Sequence, residues 1–177
     1  MNDRALEERY LELIERNRGR VARMCRAWTR APADFEDLRS EILLQLWRSL
    51  PSFDGRASEN TWVYQVALNV AFQFGRTTQR QRKRLDRLER EPRAESLEAD
   101  QPARLQERER LERLGRALAA LPPGDRALIT LALEELPYAQ IAEVTGLSES
   151  HVGVKLHRIK KHLAQSLVKE EASHGRG

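Results

Sequence analysis

Residues 136–158 read Leu-Pro-Tyr-Ala-Gln-Ile-Ala-Glu-Val-Thr-Gly-Leu-Ser-Glu-Ser-His-Val-Gly-Val-Lys-Leu-His-Arg. Pro137 opens a short helix, Gly146 supplies a left-handed turn that a Cβ would resist, and Ser148 offers its hydroxyl to the first free N–H groups of the next helix. Ala142, Gly146 and Val152 fall at the four- and six-residue steps of a helix-turn-helix, with small Ala142 where the two helices cross. In the second helix Val152, Leu156, Ile159, Leu163 and Leu167 recur at three and four residues, a stripe that must face a core. Ser148, Glu149, Ser150, His151, Val154, Lys155, Arg158 and Lys161 remain for the opposite side, a polar and basic face of the kind that enters a DNA groove. A plain helical hairpin with a solvated basic face is the alternative; turn glycine, cap and basic face together favour the groove reader.

Working outward, Pro32, Pro51, Gly55, Pro92, Pro102, Pro122-Pro123-Gly124 and Pro137 all separate segments of 3.6-residue periodicity, and no convincing strand lies between them. The sequence therefore predicts an all-α chain. A first helix spans residues 3–28. A second starts at Asp34, a good N-cap, and ends near Leu50 before Pro51. Its apolar positions 35, 38, 42, 43, 44, 46, 47 and 50 cover more than one face, so it is either deeply buried or engages a partner protein. The third begins after Ser58 and places Trp62, Tyr64, Phe72 and Phe74 among the amides Gln65, Asn69 and Gln73. Aromatics beside amides, followed by arginines, suit single-stranded or melted DNA; packing into a core is the competing reading for Trp62 and Phe72.

The chain has 177 residues with 31 Lys+Arg against 27 Asp+Glu, a formal net charge of +4. The distribution says more than the sum. Five basic residues and no acid occupy 76–84, and another five with no acid occupy 151–169, whereas 121–150 holds one basic residue, Arg126, against five acids. Two separated basic clusters read as two footprints on a polyanion. From 79 to 110 charged residues dominate and apolar positions are too sparse for a core, which predicts a flexible charged linker, partly helical at best. The expected organisation is two small helical domains, 1–78 and 111–168, joined by that linker and followed by a disordered tail, 169–177.

Several classes fall away. No apolar run is long enough to span a bilayer, and the charged N-terminus lacks a secretory h-region, so a cytoplasmic location without membrane insertion is expected. The single cysteine, Cys25, excludes an internal disulfide and reads as a buried core residue, a redox sensor being the outside alternative. His157 and His162 lie roughly 140° apart around a helix, so no metal or other cofactor is expected; His151 and His157 are better phosphate or base contacts. Without a Gly-rich phosphate loop or a nucleophile with a paired base, the chain is not expected to be an enzyme and has no candidate catalytic residues.

The chain resembles the extracytoplasmic-function (ECF) sigma factors, a group of the bacterial sigma-70 family. The second helix looks like their region 2.2, residues 51–64 like the loop and start of regions 2.3 and 2.4, and residues 117–163 like region 4. The resemblance implies a protein that binds the RNA polymerase core and directs promoter-specific initiation. Asp37, Glu41, Gln45 and Trp47 would dock on the clamp helices of the beta-prime subunit, and the C-terminal domain would meet the beta flap. Ser52, Phe53, Asp54 and Arg56 in the loop, with Trp62, Gln65, Asn69, Gln73, Arg76 and Arg80 on the third helix, would read and melt the minus-ten element. The helix from Ser148 would read the duplex minus-thirty-five element. The resemblance also implies a monomer when free and an anti-sigma factor that holds it inactive, in some cases at the inner membrane. The family often has arginine where this chain has Gln65 and Leu68, and Gly153-Val154 departs from its usual recognition helix, through either closer backbone approach to DNA or drift. A stand-alone helix-turn-helix regulator and a non-initiating sigma mimic are the alternatives.

Overall fold

The computed structural model describes residues 3–85 and 102–174. Among them are seven α-helices and no strand: α1 (Asp3–Trp28), α2 (Pro32–Ser49), α3 (Glu59–Leu85), α4 (Pro102–Ala120), α5 (Pro123–Leu133), α6 (Tyr138–Thr145) and α7 (Glu149–His174), with a 3-10 turn at Leu50–Ser52 after α2. None of these helices is long and apolar enough to cross a membrane.

α1, α2 and α3 pack on one another as a first unit, and α4 to α7 as a second. Every fourth residue from Leu38 through Ile42 and Leu46 of α2 to Leu50 just after it is buried, each contributing on the order of 2 kcal/mol of transfer free energy. Against them lie Leu13, Val21, Met24 and Cys25 of α1 and Val63, Ala67 and Ala71 of α3. Asn17, buried in the same layer, is satisfied within α1: its Nδ2 donates to Leu13 O at 2.9 Å and its Oδ1 accepts from Arg20 Nη1 at 2.9 Å. Burial drives the Cys25 thiol up to about 11, so it remains protonated at neutral pH and behaves as a core side chain.

The helix boundaries differ from the sequence reading at three places. α2 begins at Pro32, with Ala31 at the cap position and no side-chain cap bond; Asp34 is not the N-cap but lies in the first turn. Proline is preorganised for the first helical position and loses no N–H bond there, and Asp34 still stabilises the positive end of the helix dipole. α3 continues to Leu85 and α4 starts at Pro102, so helix enters the expected linker from both sides, its middle, 86–101, lying outside the described residues. α7 continues to His174 and takes in most of the stretch read as a disordered tail. In the last two cases a helix already anchored by a core extends through residues of high intrinsic helix propensity without needing further apolar contacts.

Candidate nucleic-acid and polymerase interfaces

The turn between α6 and α7 is built as the motif requires. Gly146 has φ 73° and closes α6 by donating its N–H to Ala142 O. Ser148 Oγ accepts from His151 N at 3.3 Å, and Ser148 O accepts from Val152 N at 2.9 Å. Val152, Leu156, Ile159 and Leu163 are buried, whereas Ser148, Glu149, Ser150, His151, Val154, Lys155, Arg158 and Lys161 are exposed. The polar and basic side of α7 is therefore exposed, with Lys155 Nζ resting 3.3 Å from Asp125 Oδ1 of α5. Gly153 faces α6, and a Cβ there would stand at ordinary contact distance, 3.4 Å, from the Tyr138 ring.

On α2, Asp37, Glu41, Gln45 and Trp47 are exposed. With Leu44, 47% exposed, Asp37, Glu41 and Arg48 make one stripe; Gln45 and Trp47 bound it on opposite sides, roughly 160° apart. Trp47 leans back on α1, its ring edge-on to Tyr10 at 5.1 Å, and Tyr10 Oη donates to Leu43 O at 3.0 Å. The wide apolar arc is thus divided into a buried side and an open side that carries Leu44 and part of Trp47.

The loop before α3 is held by its own contacts. Phe53 stacks on Trp62 with centroids 4.7 Å apart, and the Arg9 guanidinium lies over Phe53 at 5.7 Å. Asp54 accepts from Arg56 N and Nε, which holds its carboxyl below the usual range. Ser58 caps α3 by accepting from Thr61 N at 3.1 Å. Along α3, positions 62, 65, 69, 73, 76 and 80 fall within an arc of about 80° and a length of about 27 Å. The helix therefore gathers Trp62, Gln65, Asn69, Gln73 and Arg76 on one side; Arg80 follows in register, its side chain outside the described residues.

The second unit packs partly across this stripe. Gln65 Nε2 donates to Glu143 O of α6 at 3.1 Å, and Gln140 Nε2 donates to Thr61 Oγ1 at 3.2 Å. At the other edge Glu134, at the end of α5, accepts Arg23 Nε at 2.5 Å, Arg23 Nη2 at 2.6 Å and Tyr64 Oη at 3.1 Å. Burial and this carboxylate push the Tyr64 hydroxyl up to about 12. Arg126 serves both units: its Nε donates to Leu118 O at 2.9 Å, its Nη2 to Ala119 O, and its guanidinium lies over Trp28 at 5.2 Å. None of Arg23, Glu134, Gln140 and Glu143 stood out in the sequence, and Tyr64 did so only as one of the α3 aromatics. A carboxylate after an apolar run, as in Leu131-Ala-Leu-Glu134, is the one local hint, since such a group sits beside a core and needs a cation.

Residues 13–81 match the family model described as Sigma-70 region 2, and residues 111–163 the one described as Sigma-70, region 4. The chain thus belongs to the sigma-70 family, with both promoter-reading regions in order. It belongs, more narrowly, to the ECF RNA polymerase sigma factors: it is 30% identical over 143 residues to the ECF RNA polymerase sigma factor RpoE of Cereibacter sphaeroides, across 73% of this chain and 72% of the relative. Its fold is similar to CnrH in complex with the cytosolic domain of CnrY (TM-score 0.67, 21% identity, 92% of this chain and 90% of that chain). It is also similar to the sigma factor RpoE in complex with the anti-sigma factor NepR from Bartonella quintana (TM-score 0.64, 19% identity, 92% and 96%).

Proposed function

We propose that three faces, the second of them partly covered by α6, divide the work of initiation. The open side of α2, with Asp37, Glu41, Gln45, Leu44 and Trp47, docks on the clamp helices of the polymerase core. The loop residues Ser52, Phe53, Asp54 and Arg56 and the α3 stripe read and hold the melted minus-ten strand. The exposed face of α7 reads the minus-thirty-five duplex, with Lys155, Arg158 and Lys161 gripping phosphates and base edges. In this reading the chain makes and breaks no covalent bond; it supplies selectivity to the polymerase. The observation that carries it is the single α3 stripe, where an aromatic, three amides and an arginine follow one line along the helix, as a single strand requires.

The curated relative is named an RNA polymerase sigma factor, and both solved neighbours are held by a second protein. We extend both relations to this chain: it acts with core polymerase in the cytoplasm, and an anti-sigma factor holds it inactive. The test is transcription in vitro by purified core polymerase on a library of genomic fragments, with and without the chain. Discrete chain-dependent starts that share two upstream motifs are expected. An absence of new starts from folded protein and a matched core overturns the proposal, and competition for core binding then separates a sigma mimic from a stand-alone regulator.

A further inference from the structure

An apolar residue stands at the centre of the exposed side of α7. Val154 is 49% exposed, and among positions 149–161 it is the one exposed residue whose side chain is apolar. At about 100° per residue, the buried Val152, Leu156, Ile159 and Leu163 lie within about 40° of the direction opposite to it, whereas Ser150, Arg158 and Lys161 lie within about 40° of Val154 itself. Val154 thus points directly away from the core. Its flanks are occupied from within the second unit: the Tyr138 ring lies over Gly153 on one side, and on the other Lys155 Nζ is held 3.3 Å from Asp125 Oδ1.

A single apolar side chain on a surface is ordinary. The chemistry of this one matters because of its neighbours. Arg158 and Lys161 beside it complement a polyanion, and a helix that enters the major groove sets its first turns against the base edges. Those edges offer hydrogen-bond donors and acceptors, with the 5-methyl group of thymine as the apolar exception. A valine pressed on a polar edge atom strips it of water and returns no hydrogen bond, whereas on a methyl group it buries apolar surface on both partners. The same side chain therefore favours one base and penalises the others. We propose that Val154 is a specificity-determining residue that reads the 5-methyl group of one thymine in the upstream promoter element. The inference rests on the assignment of α7 to that element and adds a base to it.

The experiment takes a promoter recovered from the transcription library and measures its affinity for core polymerase carrying the full chain. Each thymine of the upstream element, on either strand, is replaced in turn by deoxyuridine, which removes the methyl group and keeps every hydrogen-bonding atom. One position is expected at which the replacement weakens binding about fourfold, the amount for one buried methyl group. Val154→Ala removes both γ-methyls, adds no polar group and, at an exposed position, does not disturb the core. In that variant the same replacement is expected to cost less than about twofold, while a thymine sensed through DNA shape keeps its effect. Sensitivity at one position in the parent and its loss in the variant support the proposal. An upstream element without thymine, binding indifferent to deoxyuridine throughout, or a sensitivity of equal size in folded Val154→Ala overturns it and leaves the wider assignment of α7 standing. Chain-dependent promoters whose upstream sequence has no effect on binding, or no chain-dependent promoter at all, overturn that assignment and this inference together.

Discussion

Arg23 and Glu134 are 111 positions apart and meet through two parallel N–H···O bonds, with the Glu134 side chain only 6% exposed. The same carboxylate accepts the Tyr64 hydroxyl. One acidic group at the end of α5 thus ties both α1 and α3 to the second unit, in the bidentate geometry that makes such pairs strong.

Replacing Glu134 with Gln removes the charge but keeps the size. The expected cost is about 1–3 kcal/mol of stability, read from urea unfolding. Small-angle scattering should show a larger radius of gyration for the variant, because the two units then separate more readily. An unchanged radius and midpoint would mean that other contacts suffice to hold them.

Tyr64 makes this tie sensitive to alkaline pH. Its folded-state pKa is about 12, raised by burial and by Glu134 from 10.0. A raised pKa means that the folded state holds this proton more tightly than the unfolded chain. The associated stability is complete below pH 10 and is lost as pH rises from 10 toward 12. The two-unit difference corresponds to roughly 2–3 kcal/mol at full loss. Denaturant midpoints measured at pH 8, 10 and 11 should fall more steeply for the parent than for Tyr64→Phe; equal slopes would contradict this.

Gly153→Ala is expected to raise stability by about 0.5–1 kcal/mol, since the helix interior gains propensity and the added methyl meets the Tyr138 ring at ordinary contact distance, 3.4 Å. Thermal unfolding checks the sign. A lower melting temperature would show that Tyr138 cannot give way.

Leu44→Arg and Arg158→Ala test two proposed interfaces at little risk to the fold, because both side chains are exposed. Leu44→Arg should leave stability within about 0.5 kcal/mol yet weaken competition for core polymerase. Arg158→Ala should cost about 1–3 kcal/mol in binding of the upstream promoter element, if it reads a base. Unchanged core competition or an unchanged footprint would remove the respective residue from its interface.

Local periodicity made most of the helices legible. The buried line of α7 from Val152 to Leu163, the left-handed Gly146 and the Ser148 cap were all readable because each is decided within one or two turns of helix. The start of α2 was misplaced because Pro32 and Asp34 both fit a helix beginning, and the sequence alone does not rank a preorganised φ against a cap bond. The lengths of α3 and α4 exceeded the expectation for a related reason: charged residues seldom build a core, but they extend a helix that a core has already nucleated. Grouping positions 62 to 80 on one face needs only the helical repeat. Their partial cover by α6, and the meeting of Arg23, Tyr64 and Glu134, depend on contacts across 70 to 111 positions, of which the sequence carries only the carboxylate of Glu134 beside its apolar run.

In the proposed function Gln65 has two roles that cannot be filled together. Its amide nitrogen, which donates to the Glu143 carbonyl, would in the proposed function face a nucleotide of the opened strand. Closure and strand capture then become competing ligands of one side chain, and linkage makes their antagonism mutual. Whatever factor the closed form takes from promoter affinity, bound promoter takes from the closed form. In the proposed function the promoter is thus itself an opening effector, to the extent that its contacts need the freed Gln65.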